Sequence, residues 1–372
     1  MRQRRMIHLK LDDDAPKYND VIWGNRGRRL KMSNLDLLLD KYNKEHKNVI
    51  SLGLPTYDYI RIPFSSPRMN YCTFGGIPLG KLVEFYGEEH GGKTTSALDI
   101  VGNYQKLPNA KKVLYVDAEN TLDTLWAKKI GVDVDDIILY KVKNESAEEV
   151  FDFVCSAVET DEIGLVVIDS FPVLESKNDL EKDLIETGRV GGISTALTRF
   201  SNRAEKLAQA HQCTIIGINQ IRDSIGSMFP MTHTPGGRAW RHNAAVRMEF
   251  RKGKYIDSKG NELNQSCENP AGNIVLMSMT KNKTCPPSRR TGTYTINYLT
   301  GVDAMRDLFD LAIKFGAVDK KGAWFTIYDL ETGEVIKDKL QGQANAFEFL
   351  EQNTEIYDKL KMQIMHKLEE TS

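Results

Sequence analysis

The stretch "GEEHGGKTT", Gly87 to Thr95, constrains this chain more than any other. It follows the apolar run "KLVEFY" and precedes "SALDIVGNY", which reads as a helix. Gly87-x-x-x-x-Gly92-Lys93-Thr94 is a complete Walker A pattern in the strand–loop–helix setting that such a loop needs. Glycines let successive backbone N–H groups turn inward around phosphates. Lys93 adds a point charge near the β and γ oxygens, and Thr94 offers a hydroxyl to magnesium. The helix that starts there directs its positive dipole end at the anion. Glu88, Glu89, His90, Gly91 and Thr95 complete the loop as candidate nucleotide contacts.

Around the loop the pattern is one of alternating strands and helices. "KVLYVDAE" precedes the helical "TLDTLWAKKIG", and "SAEEVFDFVCSAVE" opens with the capping box Ser146-x-x-Glu149. Then come the strand "IGLVVIDS", a helix from about Gly192 to His211, and the strand "TIIGINQI". Apolar strands without polar alternation, separated by helices, imply an α/β fold with a mostly parallel sheet covered on both faces. After Gly237 the runs "AAVRMEFRKG", "GNIVLMSMTKNK" and "GTYTINYL" follow without intervening helices, which predicts an antiparallel extension of the same sheet. Three regions are expected: an N-terminal arm over 1–50, a core over 51–300 and a small α+β C-terminal domain over 301–372. In the arm, "SNLDLLLDKYNKEH" reads as a helix capped by Ser33 or Asn34, followed by the short apolar run "NVISLG".

Composition excludes several classes. Of the 372 residues, 41% are hydrophobic and 27% charged, as in an ordinary soluble globular protein. A formal net charge of -1 gives no global field for nucleic acid, although a local basic surface is compatible with it. The longest apolar runs are strand-length, far short of the roughly 20 residues that span a bilayer. "MRQRRMIHLKLDDD" is basic without an apolar segment, unlike a secretory signal. The 5 cysteines show neither CxxC nor a zinc spacing, and Cys155 and Cys213 in apolar runs read as buried free thiols. The expected setting is cytoplasmic and reduced.

Two more strand ends carry carboxylates suited to nucleotide chemistry. Asp169 closes the apolar strand "GLVVID", where an acid can hold magnesium through its water shell, and Ser170 beside it can assist. Asp117 and Glu119 end "YVDAE", and Glu119 is the candidate for orienting and deprotonating water opposite the γ-phosphate. The other reading of Glu119 is a cap for the next helix. The segment "GINQIRDSIGSMFPMTHTPGGRAW" mixes cations with apolar groups in a long loop. That suits single-stranded DNA, where cations neutralise phosphate and apolar wedges enter between bases. Gln220 at its root could touch a γ-phosphate and pass nucleotide state to the loop.

From about Asn48 onward the chain resembles the RecA family of strand-exchange recombinases, the bacterial and phage type in particular. The resemblance rests on "GGIPLGKLVEFYGEEHGGKTT", "VDAENTLDTLWAKKIGVD", "LVVIDS", "INQIR…IGSMF…GGRAW" and "KNK", in that order. It implies a P-loop core that binds ATP and Mg2+ through Lys93, Thr94 and Asp169, with Glu119 as the catalytic carboxylate and Gln220 as γ-phosphate sensor. It implies adenine stacking by Trp126 and an adenine contact by Asp123. A first DNA-binding loop would run from about Glu175 to Gly191, including Arg189 and Gly191. A second would run from Ile221 to Gly237, with Arg222, Ser224, Ile225, Gly226, Met228, Phe229, Gly236, Gly237 and the adjoining Arg238. Lys281 and Lys283 would reach the ATP of a neighbouring subunit, as arginine fingers do; on their own they read as a solvated strand end. "NVISLG" would dock each subunit on the next by strand addition.

The partners implied are single-stranded and double-stranded DNA, further copies in a helical filament, single-strand-binding protein and loading mediators. His242 departs from the family, which commonly has Phe at this subunit-coupling position, and the chain ends at "HKLEETS" without the acidic tail common in bacterial members. Two other readings keep the same core. A hexameric motor would lack "NVISLG" and prefer an arginine finger to "TKNK". A regulator or mediator without strand exchange would tolerate a divergent first loop, "LESKNDLEKDLIETGRVGG".

Overall fold

A computed structural model describes residues 34–45, 59–181, 192–223, 232–258, 261–264 and 266–370. The chain divides into two compact units, Met1–Asp58 and Tyr59–Ser372. In the first, helix α1 (Asn34–Glu45) exposes Leu35, Leu37 and Leu38. The expected docking strand "NVISLG" lies outside the described residues.

The second unit is built on one large sheet. Its main strands are β1 (Leu82–Gly87), β2 (Lys112–Asp117), β3 (Ile137–Lys141), β4 (Ile163–Asp169), β5 (Thr214–Gln220), β6 (Val246–Ile256), β7 (Gly272–Asn282), β8 (Thr291–Asn297) and β9 (Gly301–Val302). Their order across the sheet is β9-β8-β7-β6-β1-β5-β4-β2-β3. From β6 to β3 every pairing is parallel, and from β6 to β9 every pairing is antiparallel. The expected mostly parallel sheet with an antiparallel extension is therefore present. The turning point is β6, which is parallel to β1 on one side and antiparallel to β7 on the other. One strand escapes the sequence analysis. β3 is a short edge strand with no fully buried residue, so it lacks the apolar run by which its neighbours announce themselves.

Alternate residues of the central strands enter two separate cores. Val83, Val113, Leu165 and Ile216 face α3 (Lys93–Gln105) and α4 (Thr124–Ile130). Leu82, Leu114, Val166 and Ile215 face α5 (Ala147–Glu159) and α6 (Gly192–Ala210). This two-sided burial explains why the strands read as unbroken apolar runs. The capping box at Ser146 and Glu149 forms as expected and starts α5. Cys155 and Cys213 are buried free thiols.

After β9 a third core forms around Phe309, Ile327, Leu350 and Ile364. It belongs to α8 (Ala304–Phe315), a three-stranded antiparallel sheet spanning Val318–Gln341, α9 (Gln343–Gln352) and α10 (Thr354–Glu370). Helix α8 also packs on the short helix α2 (Pro67–Thr73), where the Tyr71 and Phe315 rings meet edge-on at 6.2 Å. At this seam Asp307 is 2% exposed, is bonded to the Ser66 hydroxyl, and has no partner for Oδ2.

Burial holds the Asp307 pKa well above the usual carboxylate value, and Asp303 and Asp310 add to the rise while Arg68 opposes it. The folded chain thus keeps a proton that the unfolded chain loses near pH 4. The stability this carries is present below about pH 4 and is lost as pH rises towards the folded pKa. Asp307→Asn should therefore gain on the parent protein as pH rises. Melts at pH 5 and pH 8 should show the stability difference widening by about 1 kcal/mol or more. Equal differences at the two pH values would show that ionisation here is not linked to folding.

Candidate functional site

The C-terminal ends of the parallel strands lie level with one another: Gly87 pairs with Gln220, and Asp117 with Asp169. In an open sheet of this kind that edge is where ligands bind. Between β1 and α3 the Gly-rich loop makes a sharp turn. Gly92 has φ 95°, and a Cβ there would lie 2.9 Å from Val275, so the loop cannot hold another residue without strain. A Cβ on Gly87 would meet the Phe250 carbonyl oxygen at 2.0 Å. No side chain caps the start of α3. Its first N–H groups thus face the cleft without an intrahelical acceptor, as an anion site requires.

Lys93 is buried and folds back into the loop, donating to the carbonyls of Gly87 (3.1 Å) and Glu88 (2.5 Å). Burial pulls its pKa below the usual lysine value, against the opposing charges of Asp169, Glu119, Glu89 and Glu88. Thr94 Oγ1 donates to Asp169 Oδ2 at 2.8 Å, and the buried Tyr115 hydroxyl donates to the same oxygen at 2.8 Å. Burial pushes the Asp169 carboxyl up to about 6, while those two hydrogen bonds pull it down. A hydroxyl and a carboxylate held together beside a phosphate loop are the hard oxygen donors that magnesium takes. The residues present therefore fit an Mg2+–nucleotide pair.

Glu119 does not cap a helix. Asp117 accepts from the N–H groups of Thr121 and Leu122, and Asp123 caps α4 through Leu125 and Trp126. Glu119 Oε1 instead accepts from Ser170 Oγ at 2.5 Å across the strand ends. Trp126 Nε1 reaches Thr95 Oγ1 at 3.3 Å, which sets the indole beside the helix start.

These groups border one cleft of about 740 Å³, lined by Glu89 to Thr95, Glu119, Trp126, Asp169 and Gln220. Gly87, Glu88 and Asp123 lie outside its lining. The sequence analysis missed a further part of the lining, formed by Lys252 of β6, Asn273 of β7, Ile296 of β8 and Tyr298 just beyond. These residues become neighbours only through the antiparallel pairing, and no local motif marks them. Tyr298 donates to Asn273 Oδ1 at 2.9 Å.

Of the second loop, the two roots are described. Arg222 and Asp223 pair antiparallel with His233 and Thr232, so the loop stands on a short hairpin stem, and Arg222 is exposed. Gly236 and Gly237 open helix α7 (Gly237–Asn243), on which Arg238 and His242 are exposed. Arg189, Gly191, Ser224, Ile225, Gly226, Met228 and Phe229 lie outside the described residues.

Lys281 and Lys283 are not free at a strand end. Lys281 Nζ donates to the carbonyls of Arg241 and His242, both at 2.7 Å, and Lys283 Nζ donates to that of His242 at 3.1 Å. They satisfy the last carbonyls of α7 and oppose its negative dipole end. Burial, with Lys283 and Arg247 adding to it, lowers the Lys281 pKa to about 8.

Beneath this region a buried polar network crosses three strands. Arg247 of β6 pairs through Nε with Glu84 of β1, stacks over Tyr86 at 4.6 Å, and reaches Thr234 at 3.4 Å. Asn219 of β5 donates to Glu84 and to the Pro235 carbonyl, both at 3.0 Å.

No helix among the described residues is long and apolar enough to cross a membrane, and no cluster of His, Cys, Asp and Glu among them could hold a metal by itself. Residues 45–303 match the RecA N-terminal domain family and 306–369 the RecA C-terminal domain family. A curated relative from Clostridium perfringens, Protein RecA, is 32% identical over 295 residues, covering 79% of this chain and 78% of its own. Protein RecA of Thermotoga maritima is 33% identical over 314 residues, covering 82% of each. With its parallel sheet, its Gly-rich loop and these matches, the chain belongs to the RecA family.

Proposed function

We propose that this chain is a DNA-dependent ATPase that assembles into a helical filament on single-stranded DNA and exchanges strands with a homologous duplex. The observation that carries this reading is the single cleft in which Lys93, Thr94, Asp169, Glu119 and Gln220 converge, one residue away from the stem of the second loop. A motor or a regulator would share the first four residues. The direct continuity from Gln220 into a loop stem with an exposed Arg222 favours coupling to DNA.

In this reading the Lys93 ammonium turns from the loop carbonyls to the nucleotide phosphates, and the uncapped start of α3 binds the same charge. Thr94 Oγ1 and Asp169 would hold magnesium, which would supply charge neutralisation for the nucleotide phosphates. Ser170 fixes one oxygen of Glu119, leaving Oε2 to accept a proton from water in line with the γ-phosphate. Trp126 and Tyr298, which both line the cleft, would offer aromatic faces to the base. Lys281 and Lys283, carried on the far side of α7, would serve the ATP of the adjoining subunit. ATP binding then holds the DNA-competent filament, and hydrolysis releases it. Base pairing itself is done by the DNA.

The test is ATP hydrolysis with and without single-stranded DNA, with Lys93→Ala fixing the background. Stimulation of about tenfold or more, in line with allosteric coupling of a few kcal/mol, supports the reading. Hydrolysis indifferent to DNA would overturn it. Filaments in the electron microscope and a strand-exchange assay would follow the first outcome.

A further inference from the structure

Asn219 does not line the cleft, yet it is fully buried and uses both ends of its amide. Its Oδ1 accepts from the Gln220 N–H at 3.0 Å, while Nδ2 donates to Glu84 Oε1 and the Pro235 carbonyl at 3.0 Å each. Glu84 is itself held by Arg247 from the adjacent register position on β6. A buried ion pair of this kind is weak as a source of stability, because desolvation offsets most of the attraction. It does give the amide a fixed anchor. Of the bonds made by the amide, the one that leaves the sheet runs to Pro235, next to the left-handed Gly236 that opens α7.

Gly236 packs closely on α6, where an added Cβ would lie 2.3 Å from Leu197. Helix α7 is pinned in turn by Trp240, whose ring is edge-on to Phe171 at 4.7 Å and parallel to Phe200 at 6.0 Å. The helix is only seven residues long, so the Pro235 contact at its start and its last carbonyls belong to one short element. Its last carbonyls are the ones that hold the Lys281 and Lys283 ammonium groups.

We propose that Asn219 is a positioning residue, the hub of a hydrogen-bonded relay that joins the backbone at Gln220 to Pro235, and through α7 to the paired lysines. The inference rests on the reading of Gln220 as the residue that meets the nucleotide. It adds the route by which one subunit's nucleotide state reaches the lysines that the same subunit presents to the next. The cleft and the lysine pair are then joined through a discrete chain of bonds rather than by proximity.

The full-length chain can test this with a non-hydrolysable ATP analogue and a fluorescein-labelled oligothymidylate. The readout is the ratio of the oligonucleotide dissociation constants measured without and with the analogue. Asn219→Ala should bind the analogue alone within about threefold of the parent protein, while the ratio falls about tenfold. Its DNA-stimulated kcat should fall by a similar factor with KM for ATP unchanged. Asn219→Ser, which keeps an acceptor beside Gln220 but is too short for Pro235, should behave alike and serves if the alanine variant does not fold. Tyr86→Phe, which removes only the hydroxyl bond to Thr280 and keeps the ring under Arg247, should keep the parent ratio.

A parent ratio of one would sink the DNA-coupled reading, and the relay with it. A parent ratio well above one that persists in both Asn219 variants would overturn the relay alone. So would a fall in the ratio accompanied by an equal loss of analogue affinity, because Asn219 would then be shaping the cleft.

Discussion

Glu119→Gln should leave a protein that binds ATP normally and hydrolyses it about a thousandfold more slowly, the middle of the range that general-base removal produces. Glutamine has the shape of glutamate and can still accept from Ser170 through its oxygen, so the side chain stays in place. What it loses is the ability to take a proton. Lys93→Ala should differ in kind, since it removes the charge that the phosphates meet and weakens binding itself. Nucleotide binding followed by fluorescence, together with single-turnover hydrolysis, separates the two effects. If Glu119→Gln turns over within about tenfold of the parent, another group deprotonates the water and the assignment of Glu119 fails. With hydrolysis blocked, single-stranded DNA complexes formed with ATP should outlast those of the parent.

The second large effect is on packing. Gly217 sits in β5, where a Cβ would lie 2.2 Å and 2.3 Å from the Phe171 ring and 2.7 Å from Trp240. Both rings are fully buried and stack with Phe151 and Phe200 in one aromatic cluster, so neither has open space to move into. Gly217→Ala should destabilise the core by about 3 kcal/mol, at the upper end of typical overpacking costs. The melting temperature should fall accordingly. Adding Phe171→Leu should restore part of the loss, because a smaller side chain vacates the colliding edge. An unchanged melting temperature would mean that the cluster shifts freely. That would also weaken the case for α7 as a braced helix, since Trp240 is its seat.

The legible part of this chain is local. The phosphate loop, the apolar strands and their terminal carboxylates each occupy a few consecutive residues, and period alone tells strand from helix. The antiparallel extension was legible for the same reason, from three strand-like runs without helices between them. The hidden part is whatever depends on the pairing of distant segments. Glu84 carries no motif within "KLVEFY", and its partner Arg247 is 163 residues away. Tyr298, Lys252 and Asn273 carry no motif and join the cleft only because β6, β7 and β8 fold back on one another. Lys281 and Lys283 showed their charge in sequence but not their bonds to the end of α7. Resemblance named those lysines as important; the carbonyls of Arg241 and His242 say what holds them.

The lining of the cleft comes from two halves of the sheet. The part with the loop, Thr94, Asp169 and Glu119 belongs to the parallel half, where glycine contacts and paired carboxylates leave almost no substitution neutral. The rest of the lining, with Lys252, Asn273 and Tyr298, belongs to the antiparallel half. Selection can therefore act on the two separately. In the proposed reading, substitutions at Lys252, Asn273 and Tyr298 would act away from the phosphate loop and its carboxylates, which makes that half the place to engineer acceptance of an orthogonal nucleotide fuel.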